Sequence, residues 1–201
     1  MEHYFTNNDN LKSDFRTIIY KYNDYSLEFT SDLGVFSKDK VDFGSKLLME
    51  TFLNSNHKSN ITLLDIGCGY GIIGLTLSKI ASTHSTLVDV NKRALHLAKM
   101  NAKNLGVEAD IFESDVYSNV SGKYDVIITN PPIRAGKQKV MQFLLEAYDY
   151  LEDDGELWIV MRKDQGAKSA IEKMKSIYSI EVREKSKGFF IIVAKKLLTS
   201  N

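Results

Sequence analysis

The chain has 201 residues, 43% of them hydrophobic and 26% charged, enough for one α/β core with few extras. Lys plus Arg (26) balance Asp plus Glu (26), so no net basic charge points to nucleic acid, though a local basic patch stays open. The lone cysteine, Cys68, excludes an intramolecular disulfide framework, and no apolar run approaches the ~18 residues of a membrane span. The sequence MEHYFTNNDN has no basic segment leading into an apolar run, so we expect no signal peptide and a cytoplasmic protein.

Residues 16–29 predict two short strands around the turn pair Asn23–Asp24. Residues 41–52 have apolar positions at helical spacing. A strand at 61–66 then ends in glycines, and a helix is expected at 72–80. The pattern continues with a strand at 85–90, a helix at 92–105, and strands at 109–113 and 124–129. A helix follows at 140–151, a strand at 156–161 and a helix at 166–177. Two last strands, 180–184 and 189–195, flank the turn-like Ser186–Lys187–Gly188. There is no repeat, low-complexity tract or Pro/Gly-rich linker, and the two prolines are adjacent. The expectation is one α/β domain: an N-terminal β-containing extension (1–40) packed on a core (41–197). Its sheet is seven-stranded, mostly parallel, covered by helices on both faces and closed by an antiparallel hairpin at one edge.

A doubly wound sheet binds its ligand beyond the C-terminal ends of its strands. Every motif of interest falls there. Asp65–Ile66–Gly67–Cys68–Gly69–Tyr70–Gly71 links a strand to a helix, and its glycines permit a tight turn and close approach to a ligand. The spacing is not the dinucleotide Gly-x-Gly-x-x-Gly. An acidic residue ahead of the glycines repels a pyrophosphate and attracts a cationic amino-acid moiety, as in S-adenosylmethionine. Asp89, 24 positions on, ends the next strand and can accept from both hydroxyls of a ribose, with Val90 beside it. Its alternative role is a helix N-cap, which Asn91 fills equally well. Asp115 follows the third strand; it either accepts from an adenine amine, with Val116 as an apolar wall, or simply starts a loop.

Asn130–Pro131–Pro132–Ile133 follows the fourth strand. Two prolines at a buried strand end fix the backbone and remove its donors. Such a turn aims the Asn130 side chain and the Pro131 carbonyl at one point. Both can accept from an exocyclic amine and direct its lone pair at a methyl group, which is catalysis by positioning. Arg134, Lys137 and Lys139 come next and read either as phosphate contacts or as a solvated loop. Phe36, among turn residues, reads either as a base contact or as packing. Cys68 is read as a small core-facing residue. His3, His57, His84 and His96 show no metal spacing, so no metal is expected. Trp158 is read as core.

The set DIGCGYG, VDVN, SDVY and NPPI resembles the class I methyltransferases, and more narrowly the small methyltransferase domain of RsmC-type 16S rRNA guanine-N2 methyltransferases, in their single-domain Gram-positive form. Gly34–Val35–Phe36–Ser37 with Asp42 and Gly44 resembles the same group, where that segment lies over the pocket. The resemblance runs from about residue 16 to 195. It implies S-adenosylmethionine as cofactor, held by Asp65, Gly67, Cys68, Gly69, Gly71, Asp89, Val90, Asp115, Val116 and Asn130. Its implied acceptor is guanine N2 of 16S rRNA, free or in the small subunit. Two-domain members of the group carry an extra N-terminal methyltransferase-like half, and the expectation here is the single-domain form without it. It also carries Ile133 where many amino-methylating relatives place an aromatic. Asn-Pro-Pro turns also serve enzymes acting on adenine N6 or on a release-factor glutamine amide, and a non-catalytic binding module is the third reading.

Overall fold

The computed structural model describes residues 12–37 and 39–198; residues 1–11 of the expected extension lie outside them. Two strands, β1 (Arg16–Tyr22) and β2 (Tyr25–Ser31), form an antiparallel hairpin across Asn23–Asp24. Then follow α1 (Phe43–Leu53), β3 (Thr62–Ile66), α2 (Ile72–Ala81), β4 (His84–Asp89), α3 (Lys92–Leu105), β5 (Ala109–Glu113) and β6 (Tyr124–Thr129). A 3-10 turn at Ile133–Ala135 leads to α4 (Lys137–Leu145) and α5 (Ala147–Tyr150). The chain ends with β7 (Leu151–Arg162), a second 3-10 turn, α6 (Ala167–Met174), β8 (Tyr178–Ser186) and β9 (Phe189–Lys196).

The seven main strands run in the order β5-β4-β3-β6-β7-β9-β8, with the first five parallel and β9 antiparallel to both neighbours. The expected architecture is therefore present. Leu63, Leu64, Ile66, Ile127 and Ile128 are fully buried because helices cover both faces of the central strands. β3 has β4 on one side and β6 on the other, so the strand order reverses there. A crevice opens at the C-terminal ends of these strands.

Residues 140–151 do not form one helix. The chain leaves α5 at Tyr150, and Leu151 already pairs with Tyr124, so β7 starts five residues before the expected 156. The polar stretch Glu152–Gly155 hides this start from a hydrophobicity reading. The register shifts between Tyr124 and Val126, and a side chain at Gly155 would sit 3.0 Å from the carbonyl oxygens of Tyr124 and Glu152. Only glycine fits that irregularity.

The hairpin docks through its alternating inner residues Ile18, Tyr20, Leu27 and Phe29, which join the core cluster on the α1–α3 side. Asn101 of α3 mimics a strand edge: Thr30 N–H donates to its Oδ1 (2.7 Å), and its Nδ2 donates to the carbonyls of Thr30 and Tyr70 (both 2.9 Å). The following segment is tied down too. Arg93 donates to the Leu33 carbonyl (3.0 Å) and pairs with buried Asp32 (3.6 Å), and Asn91 donates to the Gly34 carbonyl (3.2 Å). Residues 33–37 are thereby held across the crevice.

Candidate active site

The crevice is a cavity of about 550 Å³, a size suited to a small-molecule ligand. Residues Gly67, Cys68, Gly69 and Tyr70 form its floor. Both Gly67 and Cys68 donate their N–H to the Val88 carbonyl (2.9 Å each), which stitches the loop to β4. Gly69 takes φ +57, and a Cβ there would meet no atom within 4 Å, so its backbone is bare. Its N–H donates to Asp89 Oδ2 (2.8 Å), while Asn91 N–H donates to Asp89 Oδ1 (2.9 Å). The Val90 N–H bears on the same carboxylate, which lines the cavity. Burial pushes the Asp89 carboxyl above its usual range, partly offset by these backbone N–H groups. Asn91 caps α3 by accepting from Ala94 N–H, so Asp89 is not the cap.

Gly67, Cys68, Gly69, Asp89, Val90, Asp115, Val116, Asn130, Pro131, Pro132, Ile133, Arg134 and Phe36 all line this one cavity. Three expected residues lie elsewhere. Asp65 is 1% exposed and off the cavity wall; its Oδ2 accepts from Gly74 N–H (2.8 Å) in the first turn of α2. Burial raises its carboxyl to about 7, against the lowering effect of that N–H. In this geometry Asp65 braces the loop from beneath, against the first turn of α2. Gly71 is likewise off the wall and serves the turn into α2. Lys137 also misses the cavity; it faces a smaller neighbouring groove, across from Gln165 and Gly166.

At the other margin Asp115 is 64% exposed and pairs with Lys139 (3.0 Å). Val116 adopts φ +53, a left-handed conformation rare for a β-branched residue, at the cavity wall. The Ser114 hydroxyl steadies this bend by donating to the Val116 carbonyl (2.7 Å). Cys68 is 5% exposed, and burial pushes its thiol well above its ordinary value, so it is no nucleophile. Trp158 is core, 1% exposed.

The acceptor end is built around Asn130. Its Nδ2 donates to Ser45 Oγ (2.9 Å) and, at longer range, to Asp42 Oδ2 (3.4 Å). Asp42 is also the N-cap of α1, accepting at Oδ1 from Gly44 N–H (2.9 Å) and Ser45 N–H (3.2 Å). A carboxylate only accepts, so Asn130 must turn its NH2 toward α1, and its Oδ1 is left for the cavity. The prolines offer no N–H, so the turn presents acceptors alone. Ser45 gave no sequence signal, because its contact with Asn130 spans 85 positions. Arg162, Gln165 and Phe189 also line the cavity without having been expected. Arg162 and Gln165 follow from the strand-end rule at β7; Phe189 becomes visible only once β9 pairs antiparallel with β7.

The residues fit S-adenosylmethionine. A bare loop backbone lies under the cavity, the Asp89 carboxylate lines it, and the buried Tyr70 hydroxyl on the wall has no hydrogen-bond partner among the described residues. Among those residues no helix is long and apolar enough to cross a membrane.

The family model of the methyltransferase small domain matches residues 26–193. A Bacillus subtilis protein named YbxB, itself uncharacterized, is 43% identical over 98% of this chain and 99% of its own length. Ribosomal RNA small subunit methyltransferase C of Erwinia tasmaniensis is 40% identical over 63% of this chain but only 38% of its own. Among solved structures, the T. thermophilus 16S rRNA N2 G1207 methyltransferase in complex with AdoMet and guanosine superposes with a TM-score of 0.81 at 22% identity. That match covers 91% of this chain and 51% of the other. The chain thus spans about half or less of these rRNA methyltransferases. With the glycine loop, Asp89 and the Asn-Pro-Pro turn gathered on one cavity, this chain belongs to the methyltransferase small-domain family.

Proposed function

We propose that this chain is an S-adenosylmethionine-dependent N-methyltransferase acting on an exocyclic amine, and that the amine is guanine N2 of 16S rRNA. The observation that carries the proposal is the tethered Asn130 amide: both donors point to Ser45 and Asp42, and the acceptor oxygen is left for the cavity. The cofactor supplies an electrophilic methyl group on a sulfonium. The Gly67–Gly69 backbone holds its amino-acid part, Asp89 its ribose hydroxyls, and Asp115 and Val116 its adenine. Asn130 Oδ1 and the Pro131 carbonyl accept the two amine hydrogens, so the nitrogen lone pair faces the methyl group. This is positioning with charge stabilisation, and it needs no strong base. Ile133, partly buried beside the turn, supplies an apolar wall for the base plane. The acceptor class is supported by the names of the rRNA-methylating relatives and by a turn whose two prolines carry no N–H. An rRNA acceptor also puts the reaction in the cytoplasm.

The test is Asn130→Ala. Calorimetry should show cofactor affinity within about twofold of wild type, while transfer to small ribosomal subunits falls at least ~100-fold, as for loss of one preorganised catalytic hydrogen bond. Undiminished transfer would contradict the role given to Asn130.

A further inference from the structure

The balanced net charge conceals an uneven surface. Three segments meet at the cavity end of the sheet. Residues 134–139 carry Arg134, Lys137 and Lys139 with no carboxylate; residues 162–165 carry Arg162 and Lys163 against Asp164; residues 185–188 carry Lys185 and Lys187 with none. The topology makes them neighbours. Arg162 pairs with Phe189 across β7 and β9, and Lys163 N–H donates to the Gly188 carbonyl (2.8 Å), pinning the β8–β9 turn beside the end of β7. Residues 134–139 join them across the small groove where Lys137 faces Gln165.

Of these cations, Lys139 pairs with Asp115 (3.0 Å) and Arg162 with Asp164 (2.8 Å). No described carboxylate pairs with the other five, though Glu184 lies next to Lys185 in sequence. The far end of β7 is the reverse case. There Asp153, Asp154 and Glu156 pair with Lys196, Lys58 and Lys195. At that far end each of the three lysines has a carboxylate partner, whereas five of the seven rim cations have none among the described residues.

The same rim carries aromatic faces. Phe43 and Phe189 pack at 5.5 Å; the Lys187 ammonium lies 4.7 Å above Phe43, and the Arg162 guanidinium 5.6 Å above Phe189. Phe36, 43% exposed, lines the mouth on the other side. Exposed cations beside aromatic planes suit a polyanion that also carries flat bases. An acidic protein segment would use only the charges.

We infer that this rim is the docking surface for the sugar-phosphate backbone of an unpaired RNA segment that carries the target base. The inference rests on the RNA acceptor proposed above. The segment is unpaired because an amine engaged in a base pair cannot reach Asn130 inside the cavity. Arg134, Lys163 and Lys187 take phosphates on either side of the target nucleotide, and the base enters between Phe36 and Phe189.

The test measures binding of a fluorescein-labelled, unstructured oligoribonucleotide without cofactor, by anisotropy across a salt series. Lys163→Glu/Lys187→Glu is compared with Lys58→Glu/Lys195→Glu, which makes the same change in net charge at the far end. The rim variant should bind about tenfold more weakly or worse, with a salt slope flatter by about 1.4, the value for two single-strand phosphate contacts. The far-end variant should stay within about threefold of wild type. Equal losses in both variants, no loss in the rim variant, or displacement by a polyglutamate peptide as effective as by unlabelled RNA each overturns the inference. Transfer of labelled methyl to small ribosomal subunits is read in parallel. Wild-type binding of the oligonucleotide with no transfer sinks the acceptor proposal alone. Transfer undiminished in the rim variant sinks the docking surface alone.

Discussion

Replacing Asp42 with Asn changes one oxygen into an NH2 group and almost nothing else. The new side chain still caps α1, because its amide oxygen accepts from Gly44 and Ser45 N–H as Oδ1 does now, at 2.9 and 3.2 Å. Its Nδ2 then replaces Oδ2, 3.4 Å from the Asn130 NH2, and sets donor against donor. Asn130 relieves this by turning its amide over, since Ser45 Oγ at 2.9 Å can donate as readily as accept. The cavity is then offered an NH2 group where the amine acceptor needs an oxygen. Loss of one aimed hydrogen bond costs ~10²–10³ in rate, about 3–4 kcal/mol of transition-state stabilisation. Ser45→Ala removes a single hydrogen bond worth about 1 kcal/mol and should cost only about fivefold. The assay is single-turnover methyl transfer to small ribosomal subunits, with cofactor affinity and melting temperature measured on the same preparations. Asp42→Asn should leave both of the latter near wild type, whereas Asp42→Ala should also lower stability by about 1 kcal/mol through the lost cap. Wild-type turnover in Asp42→Asn would refute the reasoning, because it would mean that the orientation of Asn130 does not matter.

Three further outcomes are expected. Asp65 has a folded-state carboxyl raised to about 7 by burial, so the native state binds the extra proton between its unfolded value near 3.8 and 7. Its stabilising contribution is complete below pH 3.8 and is lost as pH rises through 7. Asp65→Asn should therefore gain on wild type from pH 4.5 to pH 7.5 by an amount on the order of a few kcal/mol in urea unfolding; a constant difference would contradict the buried, strained carboxyl. Asp115→Ala should weaken cofactor binding about tenfold, the loss of one charge-assisted acceptor. It should leave stability within about 0.5 kcal/mol, since the pair it makes with Lys139 is largely exposed. Cys68, buried with its thiol pushed up, should resist iodoacetamide at pH 7.5 in the native state and react promptly in urea; fast native labelling would be inconsistent with its position.

How much of this was legible beforehand follows from the range of each interaction. The strand–loop–helix repeat and the Asp89, Asp115 and Asn130 positions are short-range patterns, so they could be read in order along the chain. The burial of the Asp65 carboxylate was not legible, because a residue at a strand end reads as facing the ligand. Whether it faces the cavity or the underside of α2 depends on how closely Gly74 approaches it. The start of β7 was missed because Glu152–Gly155 is polar, and only pairing with Tyr124 makes it strand. The Asn130–Ser45 contact and the basic rim are assembled from segments far apart in sequence. Arg134, Lys137 and Lys139 already read as possible phosphate contacts, but Arg162, Lys163, Lys185 and Lys187 join them only once β7 and β9 pair at one mouth.

One measurement bears on the whole account. Wild-type protein is incubated with methyl-labelled S-adenosylmethionine and, separately, with small ribosomal subunits, free 16S rRNA and a ribosome-free protein extract. Labelled nucleosides are then resolved after digestion. The account predicts label in the rRNA as N2-methylguanosine, and none in Asn130→Ala reactions. Label appearing as N6-methyladenosine or in the protein fraction, or no transfer to any of the three, would contradict it.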